Sequence, residues 1–290
     1  MDNAKVEITK KQSQFVMILK RLADNKLAMT GLAILVVVVL IAIFAPLLAP
    51  YDADYIDESA YAQGSSAEHL LGTDKMGRDI FSRLIYGTRY SLGLSFSAVL
   101  LSLVLGVMIG AVAGYFGGAV DQVIMRITDV IQAIPGILLN MALVCVLGQG
   151  LFNTILALGI SNIANNARMM RASILKVRRM EYLDAATSIN CSNARIIVKH
   201  VLPNAFSPLI VSSTMSIGSV MLNAAALSYL GLGVPIGTPE WGSMLNAGRD
   251  FIMTRPSLTI YPGLCIILVV LAINLLGDGL RDAMDPRLKK

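Results

Sequence analysis

Charge is scarce in this sequence. Of 290 residues only 15% are Asp, Glu, Lys or Arg, against about 25% in an ordinary soluble domain. That deficit argues against a soluble globular enzyme. Aromatic residues make up 6% of the chain, with a single tryptophan, so base-stacking platforms are few. A nucleic-acid partner is therefore not expected, despite a net charge of +5. Cysteines number three, Cys145, Cys191 and Cys265, far apart and without a C-x-x-C pair, which suggests neither a disulfide framework nor a zinc site. Two histidines, His69 and His200, cannot make a His-rich metal centre, and no metal site is expected. No glycine precedes a lysine anywhere, so the chain lacks the phosphate-cradling G-x-x-x-x-G-K-[ST] loop. With no H-E-x-x-H and no paired Asp/Glu inside an apolar run, no catalytic residue is expected either.

What is abundant is hydrocarbon. Hydrophobic residues form 55% of the chain and mean hydropathy is +0.67. A helix crossing a bilayer needs about 20 mainly apolar residues. Charge-free stretches of that kind run over 27–51, 90–120, 130–167, 201–239 and 256–277. The third is long enough for two helices, separated at Gly148-Gln149-Gly150. The end of the fourth, GLGVPIGTP, has loop composition, which leaves one span near 207–230. The expectation is an all-α membrane protein with six transmembrane helices. The first apolar run is full length and is followed by Pro-Tyr-Asp, so it reads as a retained helix rather than a cleaved signal.

Lysine and arginine concentrate in cytoplasmic loops. They cluster in the N-terminal segment (Lys5, Lys10, Lys11, Lys20, Arg21, Lys26), between the fourth and fifth spans (Arg168 to Lys199) and in the tail. Six spans put all three on one side, with both termini cytoplasmic. The segment after the first span, carrying Asp52, Asp54, Asp57, Glu58, Glu68, Asp74 and Asp79, falls outside. Gly106, Gly110 and Gly114 share one face of the second span, as close helix packing in lipid requires. Asn140, Asn162, Asn165, Asn223 and Asn274 lie at membrane depth, where polar groups face protein or a watery path. Asn140, Asn162, Asn223 and Asn274 are therefore candidates to line a pathway. No charge lies near the middle of a span, which counts against a stand-alone secondary transporter.

The stretch 168–203 is too structured for a linker. A short helix is expected over 182–189, ended by Asn190, a residue that enters the left-handed region readily. Ser192 is placed to cap a second short helix, and Pro203 marks the next break and opens the fifth span.

Asp184-Ala185-Ala186, then Asn190, then His200-Val201-Leu202-Pro203, resembles the "EAA" loop of ABC importer permeases. Asp184 stands for the family's Glu and Asn190 for its Gly. Leu71-Gly72-Thr73-Asp74 with Gly77-Arg78-Asp79, Pro239-Glu240-Trp241-Gly242, and the run 276–288 resemble further signatures of the dipeptide/oligopeptide/nickel branch, second ("C"-type) permease subunit. These motifs appear in the family's order along nearly the whole chain.

The resemblance implies an ABC type I importer permease fold in the bacterial cytoplasmic (inner) membrane. It implies a homologous partner permease, two ABC ATPases that hold ATP and Mg, and an extracytoplasmic substrate-binding protein. The chain itself would bind no cofactor. ATPase coupling would fall to Glu181, Asp184, Ala185, Ala186, Asn190 and Pro203. The outer motifs supply Gly72, Asp74, Gly77, Arg78, Asp79, Glu240 and Trp241. Gly72, Gly77 and Asp79 read better as turn formers than as substrate contacts, and Trp241 as an interfacial anchor or a contact of the delivered substrate or its binding protein. The chain then divides into a cytoplasmic segment (1–28), a first transmembrane helix (29–50), an extracytoplasmic segment (51–89), a core with five transmembrane helices and a coupling loop near 180–203 (90–280), and a cytoplasmic tail (281–290). Its cargo would be dipeptides or oligopeptides, with nickel or a metal chelate as the alternative. A membrane enzyme is the reading from another class.

Overall fold

The computed structural model describes residues 14–178, 180 and 191–284. Every regular element among them is helical. In chain order they are α1 (Gln14–Asp24), α2 (Lys26–Ile43), α3 (Ala45–Leu48), α4 (Ile80–Phe116), α5 (Gly118–Ala133) and α6 (Gly136–Leu147). Then come α7 (Leu151–Val177), the short α8 (Asn193–Ile196) and α9 (Leu202–Ala205), α10 (Ser207–Tyr229), α11 (Trp241–Gly248) and α12 (Ser257–Met284).

Local chemistry sets the ends. Asn25 caps α2 by accepting from the N–H groups of Leu27 and Ala28, both at 3.1 Å. Pro46 cannot continue the ladder, so the first span breaks at Phe44 and restarts as α3. Most of the second apolar run, 90–116, lies within a helix that begins ten residues earlier, and its end, 117–120, crosses into α5. Asp79 accepts from the Ser82 N–H at 2.7 Å and so starts α4 at Ile80. Its 37 residues are about 55 Å long. Since the hydrocarbon core is about 30 Å thick, the charged first turns stand outside it. The expected turn at Gly148-Gln149-Gly150 is present. Both glycines have positive φ, 86° and 147°, and Gln149 donates to the Gly231 carbonyl at 2.6 Å.

Among the described residues four helices, α2, α4, α10 and α12, are long and apolar enough to cross a membrane. A fifth crossing is made by α5 and α6 if that pair, bent by 92° at Ile134-Pro135, counts as one. The expected six also requires α7, which has the length but whose Asn153, Asn162, Asn165 and Asn166 lower its apolarity.

Small residues hold the bundle together. A Cβ on Gly106 would lie 2.5 Å from the Asn166 Cβ, on Gly110 2.3 Å from the Ala167 carbonyl oxygen, and on Gly114 3.0 Å from the Ile174 Cβ. The three glycines are thus the α4 side of a seam in which α4 and α7 run parallel. Asn166 donates across it to Ser102 at 3.1 Å. Gly31 on α2 and Gly279 on α12 make the equivalent close approach between α2 and α12, which run antiparallel. The outward surfaces are hydrocarbon: Val36, Val37, Val39, Leu40 and Ile43 of α2, and Ile260, Leu264, Ile267, Leu268 and Leu271 of α12, are all exposed.

Candidate functional site

At one end of the bundle, residues 51–79 and 231–248 close on the first turns of α4. Asp74 accepts from the backbone N–H groups of Met76 and Arg78, at 2.8 and 3.0 Å, and from Arg78 Nε at 2.8 Å. Arg83 then joins three segments. Its Nη1 donates to the Ala53 carbonyl at 2.8 Å, its Nη2 to the Gly237 carbonyl at 2.9 Å, and its Nε lies 3.8 Å from Asp74. Arg78 also donates to Gly237, at 3.2 Å. Gly72 and Gly77 turn the segment at φ 82° and 78°. Asp79, besides capping α4, lies 3.0 Å from Nδ1 of a buried His69, whose Nε2 is 3.6 Å from Asp57. This is a clasp built from charged side chains that are almost wholly out of solvent.

Trp241 is part of the same clasp. It is 2% exposed, so it is neither an interfacial anchor nor a surface contact. Its indole N–H donates to the Leu84 carbonyl at 3.1 Å, and its ring lies where a Cβ on Gly87 would be, 2.7 Å from Cδ1. Glu240 caps α11, accepting from the N–H groups of Gly242 and Ser243, both at 2.8 Å, and from the Ser91 hydroxyl at 3.3 Å. Burial pushes its carboxyl above the ordinary carboxylate range, against the pull of those donors. Between its ordinary value near 4.5 and the raised folded value, the folded state binds the extra proton. The group therefore adds stability as pH falls through that window and loses it as pH rises. The wild-type protein is expected to gain thermal stability relative to Glu240→Gln as pH is lowered from 7 to 5, read by melting at each pH. An unchanged difference would contradict the assignment.

At the opposite end lie the segments that flank 181–190, the stretch expected to couple to an ATPase. Glu181, Asp184, Ala185, Ala186 and Asn190 are outside the described residues, as are 285–290. Their anchors are described. On one side α7 ends in Val177, buried with Met170 and Ile174. On the other, Ser192 accepts from the Arg195 N–H at 3.4 Å, the expected cap. Helical backbone then continues through Ala205. Pro203 does not break it. The proline sits in the first turn of α9, and the register shifts just before it, into a π-turn over Ile197–Val201 closed by the Leu202 N–H on the Ile197 carbonyl. A single π-turn absorbs the missing N–H without unwinding the chain, and such turns gather at functional sites. The break falls instead at Phe206, before α10. Ile196, Val201, Ala205 and Leu209 are buried against Ala111, Met170 and Ile174, so both ends of the loop stand on one core. Beside it an open cleft of about 610 Å³ separates α7, α10 and α12, with Lys176 and Arg281 on its walls.

The four asparagines expected to line a pathway are dispersed over α6, α7, α10 and α12. Asn162 and Asn223 donate one turn back, to the carbonyls of Leu158 and Ser219 at 2.8 and 2.9 Å. Asn140 is 3% exposed, with an amide oxygen that meets no donor among the described residues. Asn274 is half-buried beside Gly218. Arg83, Ser91 and Gly237 escaped the sequence reading, and His69 entered it only as one of too few histidines for a metal centre. For Arg83 the available signal was its place one turn after the capping Asp79.

Helices packed for lipid, with a polar clasp at one end and a two-legged frame at the other, describe a multi-pass membrane permease rather than an enzyme. Its fold is that of ABC importer permeases. One chain of the MetNI methionine ABC transporter, solved facing inward, aligns with a TM-score of 0.58 at 18% identity, over 71% of this chain and 98% of that one. Residues 106–290 match the family described as the binding-protein-dependent transport system inner membrane component, and the chain belongs to that family. Residues 13–67 match the N-terminal TM domain of oligopeptide transport permease C. The dipeptide transport system permease protein DppC of Alkalihalophilus pseudofirmus is 46% identical over 270 residues, 93% of this chain and 89% of that protein. The glutathione transport system permease protein GsiD of Pectobacterium atrosepticum is 44% identical over 260 residues, 89% of this chain and 86% of that one.

Proposed function

We propose that the chain is the C-type permease of an ATP-driven importer of short peptides. Together with a homologous permease it forms the translocation path. Two separate ABC ATPases drive alternating access, and an extracytoplasmic binding protein delivers the cargo. The observation that carries the substrate is the near full-length identity to a permease whose name is dipeptide transport. Glutathione, named for the second relative, is itself a peptide, so peptides are favoured over a nickel or metal-chelate cargo.

Helix directions support six crossings with both ends in the cytoplasm. α2 and α10 each run antiparallel to α12, while α4 and α7 run parallel, as expected if α5 and α6 together cross once between them. Coupling is assigned to Glu181, Asp184, Ala185, Ala186 and Asn190, with Pro203 fixing the second leg of the frame. An ATPase that closes on this loop would tilt α7 and α10 together, because both legs share one core. A ligand or partner shifts such an equilibrium only through different contacts in its two states. Asn140 and its fellow asparagines are assigned to the path, and the clasp to holding the outer loops as one body.

The test is uptake of labelled dipeptide by cells lacking this chain, with and without its restoration. Restored uptake, competed by unlabelled dipeptide and by glutathione but not by a nickel chelate, is expected. Competition by the chelate alone would replace the peptide reading.

A further inference from the structure

An apolar groove of about 490 Å³ opens between α2 and α4, with its floor on α10 and α12. On α4 it is bounded by Arg89, Leu92, Gly93 and Phe96, and on α2 by Leu35, Val39, Ala42 and Ile43. These positions fall at helical spacing on one face of each helix. Two polar side chains touch it. Thr214 spends its hydroxyl on the Ile210 carbonyl at 2.9 Å. Arg89 is exposed and makes no ion pair or hydrogen bond with any described residue. It sits where the charge-free run of α4 begins, at residue 90, hence at the outer edge of the hydrocarbon. From there the groove descends along α4 by about 10 Å to Phe96.

We propose that this groove holds an anionic phospholipid, with its phosphate on Arg89 and one acyl chain between α2 and α4. Charge and depth coincide: the free guanidinium lies at headgroup level and only hydrocarbon lies below it. Arginine matches phosphate through its planar donor fork. The hydrocarbon-lined space suits an alkyl chain. A translocated peptide main chain would find no polar partner along these walls apart from Arg89. The exposed apolar surface of α2 puts lipid beside the opening. Gly93 keeps the groove open, since a Cβ there would have no atom within 4 Å.

The experiment uses the protein purified from membranes with its co-purifying subunits. Native mass spectrometry reads the retained lipid, and melting is followed on adding phosphatidylglycerol, phosphatidylcholine or inorganic phosphate. Wild type is expected to keep a phospholipid through detergent and to be stabilised by phosphatidylglycerol more than by phosphatidylcholine. Arg89→Gln should lower that preference about fivefold, the effect of one basic residue near an anionic surface. Gly93→Phe should fold and lose lipid of either headgroup, and Ala42→Phe should do the same from the opposite wall. An unchanged headgroup preference in Arg89→Gln would overturn the phosphate assignment. Wild-type lipid retention in both plugged variants would overturn the groove. Full stabilisation by inorganic phosphate alone would make this an anion site and not a lipid site.

Discussion

Replacing Gly110 by leucine is expected to abolish accumulation of the folded protein in membranes. The residue sits at the middle of the α4–α7 seam, where even a Cβ would lie 2.3 Å from the Ala167 carbonyl oxygen and 2.8 Å from the Met170 Cβ. Backbone cannot give way there as the tip of a flexible side chain could. Met170 itself is fully buried, so α7 would have to move bodily away from α4. Overpacking of this kind costs about 1–3 kcal/mol and occasionally more. It would also pull apart the core that carries both legs of the coupling frame, because Met170 and Ile174 belong to that core. The effect is one of position and not of losing a glycine. Gly93, on the same helix, has no atom within 4 Å of an added Cβ, so Gly93→Ala should accumulate normally while Gly110→Ala does not. Membrane levels of the two alanine variants decide this, and equal levels would contradict the seam.

The second large effect is expected at Arg83. Its guanidinium binds the carbonyls of Ala53 and Gly237, segments far apart in the chain, and it is 3% exposed. Arg83→Ala leaves both carbonyls without that donor and removes a charge that faces Asp74 at 3.8 Å and Asp54 at 3.7 Å. The expected loss is about 3–5 kcal/mol. It should appear as protease cleavage within 51–79 and a lower melting temperature, with the transmembrane helices still inserted. Arg83→Lys should recover little, because a single ammonium cannot span both carbonyls as the fork does. A protease pattern like that of wild type in Arg83→Ala would mean that the clasp is held elsewhere.

Much of this architecture was legible in the residues. The apolar runs at 27–51, 201–239 and 256–277 lie over α2, α10 and α12, because a bilayer demands hydrocarbon of a given length whatever the tertiary contacts. Gly106, Gly110 and Gly114 announced a helix seam, though not which helix they meet. What escaped were features set by contacts distant in sequence. Charged residues at 83 and 89 hid the outer turns of α4, since a composition rule reads arginine as loop and cannot see carbonyls of Ala53 and Gly237 converging on it. Trp241 read as an interfacial anchor or a contact of the substrate or its binding protein because its pocket is made by Gly87, more than 150 positions away. Pro203 read as a break because proline usually is one, and the π-turn that accommodates it leaves no mark in composition. The 92° bend at Ile134-Pro135 is likewise unmarked in composition, since a proline in a first turn is compatible with a straight helix.

In the proposed function this chain transmits the work of separate ATPases through the loop at 181–190. The most direct measurement replaces Ala186 with arginine and follows two quantities in the same membranes, the ATPase subunits that co-purify with the chain and the rate of peptide uptake. The family's small residues at this point suit close docking of another protein, and a long cationic side chain would hold that protein off. The expected result is a chain that inserts at the wild-type level, loses its ATPase subunits and transports nothing. Full ATPase co-purification together with undiminished uptake would contradict it.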